Sequence, residues 1–281
     1  MLTRFAPAPT GWLHLGHALN AEYVWTAGAD VVIRIEDHDR GRCRPEYDAG
    51  ILEDLEWLGY RSDYALVRQS DRDAIYRDAV GLLAAQGLVY GCDCTRRQIE
   101  MRVPRCRPAA GDAEEPRRET RPRTAEPSEL WYSGRCRDRG VPLAEGVGWR
   151  VRMDPGVETF VDGVLGAQAQ DPSAQCGDVL IRDRRGNWTY QFAASVDDHR
   201  QEIDLVIRGE DLLPSTGRQI RLARLLGREH PAAFRHHPLI MKSADQKLSK
   251  SGGDTGIRNL RALGWTPERV RTEARSRGVR L

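Results

Sequence analysis

Residues 4–17 read Arg-Phe-Ala-Pro-Ala-Pro-Thr-Gly-Trp-Leu-His-Leu-Gly-His, a short strand that enters a helix through a turn rich in proline and glycine. Backbone N–H groups at a helix N-terminus bind phosphate, and Gly16 lets a ligand approach closely. The imidazoles of His14 and His17 can donate to phosphate oxygens from this position. The stretch therefore predicts a phosphate-binding turn, while a capped turn with a surface histidine remains the plainer interpretation. Neither GxGxxG nor GxxxxGK[ST] occurs, which excludes two common phosphate cradles.

Apolar runs alternate with amphipathic helical stretches along the chain, which predicts an α/β fold. Predicted strands cover residues 2–5, 31–35, 149–153, 179–182, 188–192, 203–207 and 238–241. Predicted helices begin near Pro45 and end at Gly59, run from 70 to 87, follow Ser215, and begin at Thr266-Pro267. The last helix is rich in arginine, so it either holds RNA phosphates or presents a solvated face.

The composition excludes several classes of protein. The 281 residues are 40% hydrophobic, which excludes disorder throughout, and the net charge of +2 excludes a uniformly basic nucleic-acid coat. No apolar run reaches the ~18 to 20 residues of a membrane helix, and the N-terminus lacks the apolar region of a signal peptide. We therefore expect a cytoplasmic protein without a membrane partner.

The few lysines are concentrated late in the chain. Of 43 lysines and arginines only Lys242, Lys247 and Lys250 are lysines, and all three lie within nine residues. The segment 247–253 reads Lys-Leu-Ser-Lys-Ser-Gly-Gly, a polar loop whose ammonium groups suit the neutralisation of a departing pyrophosphate. Chance clustering in a solvated loop is the alternative for this motif taken alone.

Together these two motifs resemble the HIGH and KMSKS signatures of class I aminoacyl-tRNA synthetases. The motifs Arg-Ile-Glu-Asp at 34–37, Val-Asp-Asp-His at 196–199 and Val-Ile-Arg-Gly-Glu-Asp-Leu at 206–212 follow in the order of the glutamyl-tRNA synthetase family. The chain stops about 30 residues after the second signature, where full-length members continue into an anticodon-binding region. It therefore resembles the short paralogous family, the glutamyl-queuosine tRNA(Asp) synthetases.

The resemblance implies a ligase that activates glutamate with ATP to glutamyl-adenylate, without needing tRNA, and transfers it to the queuosine base in the anticodon of tRNA(Asp). The implied fold is a Rossmann-like parallel sheet with an inserted zinc-bearing α+β module and a short C-terminal helical segment. We expect the catalytic domain at 1–91 and 191–241, the module at 92–190, and the lysine loop with the helical segment at 242–281. Residues 102–129 carry five prolines, which predicts a flexible loop or a disordered linker.

The resemblance also implies the substrate-binding residues. The glutamate pocket would be lined by Arg4, Ala6, Ala8, Glu36, Tyr190 and Arg208. ATP with Mg²⁺ would be held by His14, Gly16, His17 and Lys250, and Lys247 would join the two histidines and Lys250 in catalysis. Two arginines and one glutamate complement the two carboxylates and one ammonium of glutamate. Ala8 stands where the family usually has serine, so we expect a loss of about 0.5 to 1.5 kcal/mol of binding, or replacement by water.

A zinc site is implied by the family pattern C-x-C…Y-x-x-x-C, which here places Cys92, Cys94, Tyr132 and Cys136 together. Three thiolates and a phenolate oxygen satisfy a tetrahedral ion, and ordinary buried thiols are the alternative. We expect one zinc per chain and a monomer. Two other functions stay open: glutamate activation for a carrier protein or small amine, and a non-catalytic RNA-binding paralogue.

Overall fold

The computed structural model describes residues 1–101, 130–243, 246–247 and 256–278, with only the backbone described between 241 and 247. Its strands are β1 (Leu2–Phe5), β2 (Asp30–Ile35), β3 (Val67–Arg68), β4 (Val89–Cys92), β5 (Gly148–Val151), β6 (Glu158–Asp162), β7 (Gly166–Gln170), β8 (Val179–Arg182), β9 (Leu205–Gly209), β10 (Ala233–His237), β11 (Met241–Ser243) and β12 (Gln246–Lys247). Its helices are α1 (Leu15–Trp25), α2 (Pro45–Leu58), α3 (Asp73–Ala85), α4 (Arg96–Glu100), α5 (Pro172–Cys176), α6 (Tyr190–Arg200), α7 (Thr216–Leu225), α8 (Ile257–Ala262) and α9 (Pro267–Arg277).

A large sheet in the order β3-β2-β1-β9-β10-β6-β7 organises the molecule. Every neighbouring pair is parallel except β6 and β7 at one edge, which confirms the predicted, mostly parallel α/β sheet. The apolar side chains of β1, β2 and β9 are buried against α1, α2, α8 and α9 on one face. The carboxyl ends of β1, β2, β9 and β10 consequently meet at one edge, where open α/β sheets bind ligands.

A second sheet, β4-β5-β8, is antiparallel and shares a core with α3 and α6. The division into domains remains a prediction, but the sheets do not follow the predicted boundaries. The hairpin β6–β7 lies inside the range 92–190 proposed for the inserted module, yet it extends the large sheet because β6 pairs with β10. The small sheet begins at Val89, and α6 spans the boundary proposed at 190–191.

The helix ends follow the sequence closely. Helix α2 begins with Pro45, and Gly59 follows it with a φ of 84°, a left-handed conformation that glycine adopts without strain. Helix α9 packs on α1, and Arg275 Nη1 lies 2.5 Å from Oε2 of the buried Glu22. At least this arginine of the C-terminal helix is therefore bound to protein, which neither interpretation from sequence anticipated.

Two predicted strands are wrong. Residues 188–192 do not form a strand, because Trp188 makes only a single bridge to Arg182 and Tyr190 begins α6. Residues 238–241 likewise do not form one: β10 ends before Pro238, which has no N–H to donate to a ladder. The predicted loop at 102–129 lies outside the described residues. Within the described ranges, no helix is long and apolar enough to cross a membrane.

Candidate active site

A cavity of about 470 Å³ opens at the carboxyl edge of the large sheet. It brings together every residue that the sequence predicted for glutamate and for ATP within the described chain: Arg4, Ala6, Ala8, His14, Gly16, His17, Glu36, Tyr190 and Arg208. Only the backbone of Lys247 is described, in β12, and Lys250 lies outside the described residues. These residues converge because their parallel strands and helix N-termini end at the same edge.

The two histidines of the N-terminal motif cap α1. His14 Nδ1 accepts the Gly16 N–H and His17 Nδ1 accepts the His14 N–H, each at 3.1 Å. Because both Nδ1 atoms accept, each neutral ring carries its proton on Nε2. A Cβ on Gly16 would come within 2.9 Å of His14 Cε1, so a side chain there would displace this imidazole. The motif therefore builds a rigid turn with two donor rings beside a helix N-terminus.

The chain returns to this turn after the lysine loop. Gly256 forms a bridge with His14, and the Ile257 N–H donates to Leu13 O at 2.8 Å. On the other side of the loop, Ile240 lines the cavity. Both ends of the segment that carries the lysine motif are thus anchored at the cavity, although residues 248–253 of the motif are outside the described residues.

Arg4 is held by an acidic residue from α6. Arg4 Nε lies 3.1 Å from Asp198 Oδ1, and Arg34 Nη1 lies 2.8 Å from the same oxygen. Burial would raise the pKa of Asp198, but Arg4 and Arg34 together keep it below its usual value. Arg4 therefore reaches the cavity with its charge already compensated by a carboxylate of the protein.

Arg208 is different, since its described hydrogen-bond partners are all neutral. It is 4% exposed and donates to Gln219 Oε1 at 2.6 Å and to Thr216 Oγ1 at 2.8 Å. Its Nη1 is 3.4 Å from the Tyr190 hydroxyl, and its Nε donates to His236 Nε2 at 3.1 Å. Burial lowers the pKa of Arg208 from its ordinary value. Among the described residues no carboxylate lies within 4.0 Å of its guanidinium. Arg208 therefore places in the cavity wall a positive charge that is not paired with a carboxylate of the described residues.

A buried dyad orients Arg208. His236 is fully buried, and its Nδ1 lies 2.6 Å from Asp162 Oδ2. Burial and the nearby charge of Arg208 lower the pKa of His236 to about 4. The neutral ring thus donates from Nδ1 to Asp162 and accepts from Arg208 at Nε2. It fixes the guanidinium without neutralising it.

Glu36 supplies a buried negative charge to the cavity. It directly follows β2, is buried, and its Oε1 lies 3.3 Å from Arg34 Nη2. Burial raises the pKa of Glu36, and the charges of Arg34, His38 and Arg4 oppose that shift. Two arginines and one glutamate therefore surround a small polar space. Ala8 lines the same wall and offers no side-chain hydroxyl to a ligand.

The predicted zinc ligands also come together, beside the small sheet. The Sγ atoms of Cys92, Cys94 and Cys136 are buried and lie within 4.8 Å of one another, with 3.6 Å between those of Cys94 and Cys136. The Tyr132 hydroxyl is 3.3 Å from Cys92 Sγ and 3.8 Å from Cys94 Sγ. Sulfurs bound to one tetrahedral zinc at ~2.3 Å would be ~3.8 Å apart. The donor set therefore fits zinc.

Several side chains that shape the site were not singled out from the sequence. Asp198 and Arg34 stand within motifs quoted for the family resemblance, but no role was assigned to them. His236, Asp162 and Gln219 carry no local signal, because each lies on a different element and meets Arg208 only in the fold.

The comparisons with known proteins agree with this geometry. Residues 1–281 match the family described as tRNA synthetases class I (E and Q), catalytic domain. The fold and the site thus define a class I synthetase catalytic domain. Glutamyl-Q tRNA(Asp) synthetase of Rhodobacter capsulatus is 38% identical, over 96% of this chain and 98% of the relative. The glutamyl-Q tRNA(Asp) synthetase of Bordetella bronchiseptica is 42% identical, over 89% of this chain and 75% of the relative. The chain therefore belongs to the glutamyl-Q tRNA(Asp) synthetase family, which confirms the resemblance.

A solved structure supports the fold. The crystal structure of a glutamate tRNA ligase from Elizabethkingia meningosepticum in complex with its amino acid matches with a TM-score of 0.68 at 27% identity. The match covers 94% of this chain and 53% of that ligase, so the chain spans about half of its length.

Proposed function

We propose that the protein activates glutamate with ATP and transfers it to the queuosine base in the anticodon of tRNA(Asp). The observation that carries the amino-acid assignment is Arg208, a buried cation whose described partners are all neutral. A carboxylate of glutamate pairs with the guanidinium of Arg208, while glutamine would leave this guanidinium partly unpaired. Glu36 pairs with the substrate ammonium, and Arg4 and Tyr190 complete the pocket.

Activation needs no nucleophile from the protein. The α-carboxylate of glutamate attacks the α-phosphorus of ATP, and pyrophosphate leaves. The protein therefore contributes positioning and charge stabilisation. His14 and His17 hold ATP phosphates at the start of α1, and Mg²⁺ enters with the nucleotide. Lys250 stabilises the departing pyrophosphate, so Lys250→Ala should slow pyrophosphate exchange by at least ~10²-fold, the scale of losing one transition-state donor.

Transfer completes the reaction. A hydroxyl oxygen of the acceptor bonds to the glutamyl carbonyl carbon as the bond from that carbon to the phosphate oxygen breaks. AMP leaves, and its phosphate takes the proton. The relatives named glutamyl-Q tRNA(Asp) synthetase support a queuosine-bearing tRNA as this acceptor.

Zinc is the second part of the proposal. Cys92, Cys94, Tyr132 and Cys136 would hold one structural ion that ties the end of β4 to residues 132–136. Arg150 stacks on the Tyr132 ring with its guanidinium carbon 3.8 Å from the ring centroid, which keeps the phenol in place. A closed set of four protein donors leaves no position for catalysis, so the ion would stabilise the small sheet.

The decisive experiment separates the two half-reactions. ATP–pyrophosphate exchange is measured with glutamate, glutamine or aspartate in the absence of tRNA, and glutamate transfer is measured on tRNA(Asp) with and without queuosine. We expect exchange with glutamate alone and transfer only to the queuosine-containing tRNA. Exchange that requires tRNA would contradict independent activation. Esterification at the tRNA 3′ end, or equal transfer to both tRNAs, would contradict the acceptor.

A further inference from the structure

A second cavity, of about 630 Å³, adjoins the glutamate cavity. His38 lines both cavities and therefore stands at their common wall. The second cavity lies between the start of α3, the turn that joins β8 to α6, and the loop that precedes β5. No residue predicted from the sequence as a glutamate, ATP or zinc site lines it.

Its wall carries a flat cationic surface. The guanidinium carbon of Arg182 lies 4.6 Å from the Trp149 ring and 5.1 Å from the Trp188 ring. The two indoles are 6.0 Å apart at 78°, and Trp188 Nε1 donates to Asp73 Oδ1 at 2.9 Å. These contacts hold the guanidinium plane in place. A planar cation supported by aromatic rings is a surface on which nucleobases stack.

The cavity is lined by four arginines and by three carboxylates, those of Asp73, Glu145 and Asp183, an excess of one positive charge. Arg77 is paired with Asp73 at 2.6 Å, and the Asp183 carboxylate accepts hydrogen bonds within its own turn. By contrast, Arg40, Arg182 and Arg185 have no carboxylate of a described residue within 4.0 Å. Arginines that line a cavity without acidic partners favour phosphate ligands.

We infer that this cavity receives a single-stranded nucleotide of the acceptor RNA, an inference that rests on the proposed function. The base stacks on Arg182, and the flanking phosphates pair with Arg40 and Arg185. His38 Nδ1 lies 2.6 Å from Gln69 Oε1, which keeps its ring at the common wall. A nucleotide seated here presents its hydroxyl past His38 to the glutamyl carbonyl in the first cavity.

Two variants and one matched control test the assignment. Arg182→Ala removes the stacking surface, and Arg185→Glu reverses an exposed charge that contributes nothing to the core. Arg184→Gln is the control, because Arg184 lies between them in the chain, is exposed and does not line the cavity, although its Nε donates to Gly146 O at 2.9 Å. Each protein is assayed for glutamate-dependent exchange and for transfer to queuosine-containing tRNA(Asp).

We expect exchange within ~2-fold of the parent in all three proteins. The KM for tRNA should rise by about tenfold or more in Arg182→Ala, as expected for one stacked base. In Arg185→Glu the slope of tRNA affinity against salt concentration should decrease by the amount expected for about one lost phosphate contact. Arg184→Gln should behave as the parent in both assays.

Other outcomes would overturn the inference or the function separately. If the parent transfers glutamate to tRNA and both cavity variants do so with an unchanged KM, the inference is wrong and the proposed function stands. If the variants raise the KM for ATP in exchange, the cavity belongs to ATP. If the parent exchanges normally but transfers to no tRNA, the proposed acceptor is wrong.

Discussion

Replacing Arg208 with glutamine tests the assignment of the amino-acid pocket most directly. Glutamine keeps a polar side chain that can bond with Gln219 and Thr216 but removes the positive charge. In the parent, that charge has no described carboxylate within 4.0 Å, whereas the charge of Arg4 is compensated by Asp198 at 3.1 Å. The substrate carboxylate is therefore expected to depend on Arg208 more than on Arg4.

The magnitude follows from the burial of the pair. Removing one partner of a buried, hydrogen-bonded charge pair costs about 2 to 5 kcal/mol. At about 1.4 kcal/mol for each factor of ten, Arg208→Gln should lower kcat/KM for glutamate by about 30-fold to several thousandfold. The free energy of unfolding should change little, because the variant removes a buried cation that lacks a protein counter-ion.

The assay is pyrophosphate exchange as a function of glutamate and, separately, of ATP. The KM for glutamate should rise while that for ATP stays nearly constant, and the preference for glutamate over glutamine should shrink. Arg235→Gln is the matched control, since Arg235 is an exposed arginine on β10 that does not line the cavity. A fall of less than threefold in Arg208→Gln, with a normal melting temperature, would refute the pocket assignment.

Three further predictions concern pH and metal. Burial raises the pKa of Glu36, so the KM for glutamate should rise as the pH falls through this raised pKa, and Glu36→Gln should abolish that dependence while weakening binding at every pH. Purified protein should contain about one zinc by metal analysis, Cys92→Ser should lower that content, and Tyr132→Phe should reveal whether the phenol is a ligand; carefully prepared protein without metal would favour plain buried thiols. Burial also raises the pKa of Asp54 to about 6, so the folded state binds an extra proton between about pH 4 and 6 and loses stability as the pH rises through that window. Asp54→Asn should therefore gain about 1 to 2 kcal/mol of unfolding free energy over the parent between pH 4 and 7, and a difference that does not vary with pH would contradict this.

Much of the site follows from the sequence because its residues stand at the ends of elements. His14 caps α1, while Arg4 and Glu36 lie at or just beyond the ends of parallel strands. Parallel strands deliver their carboxyl ends to one edge, which is why the side chains that the family resemblance implied share one cavity. The family pattern likewise implied the four zinc ligands, two of which lie two residues apart in the sequence.

The tertiary structure decided which charges remain available. Asp198 is 194 residues from Arg4 in the chain, yet it compensates Arg4 and leaves Arg208 as the cation without a described counter-ion. The Asp162–His236 pair that orients Arg208 forms only because β6 pairs with β10, a pairing with no local signature. Charge compensation depends on distances of a few ångströms between distant segments. The sequence alone therefore determined the inventory of the pocket, and the fold determined its electrostatics.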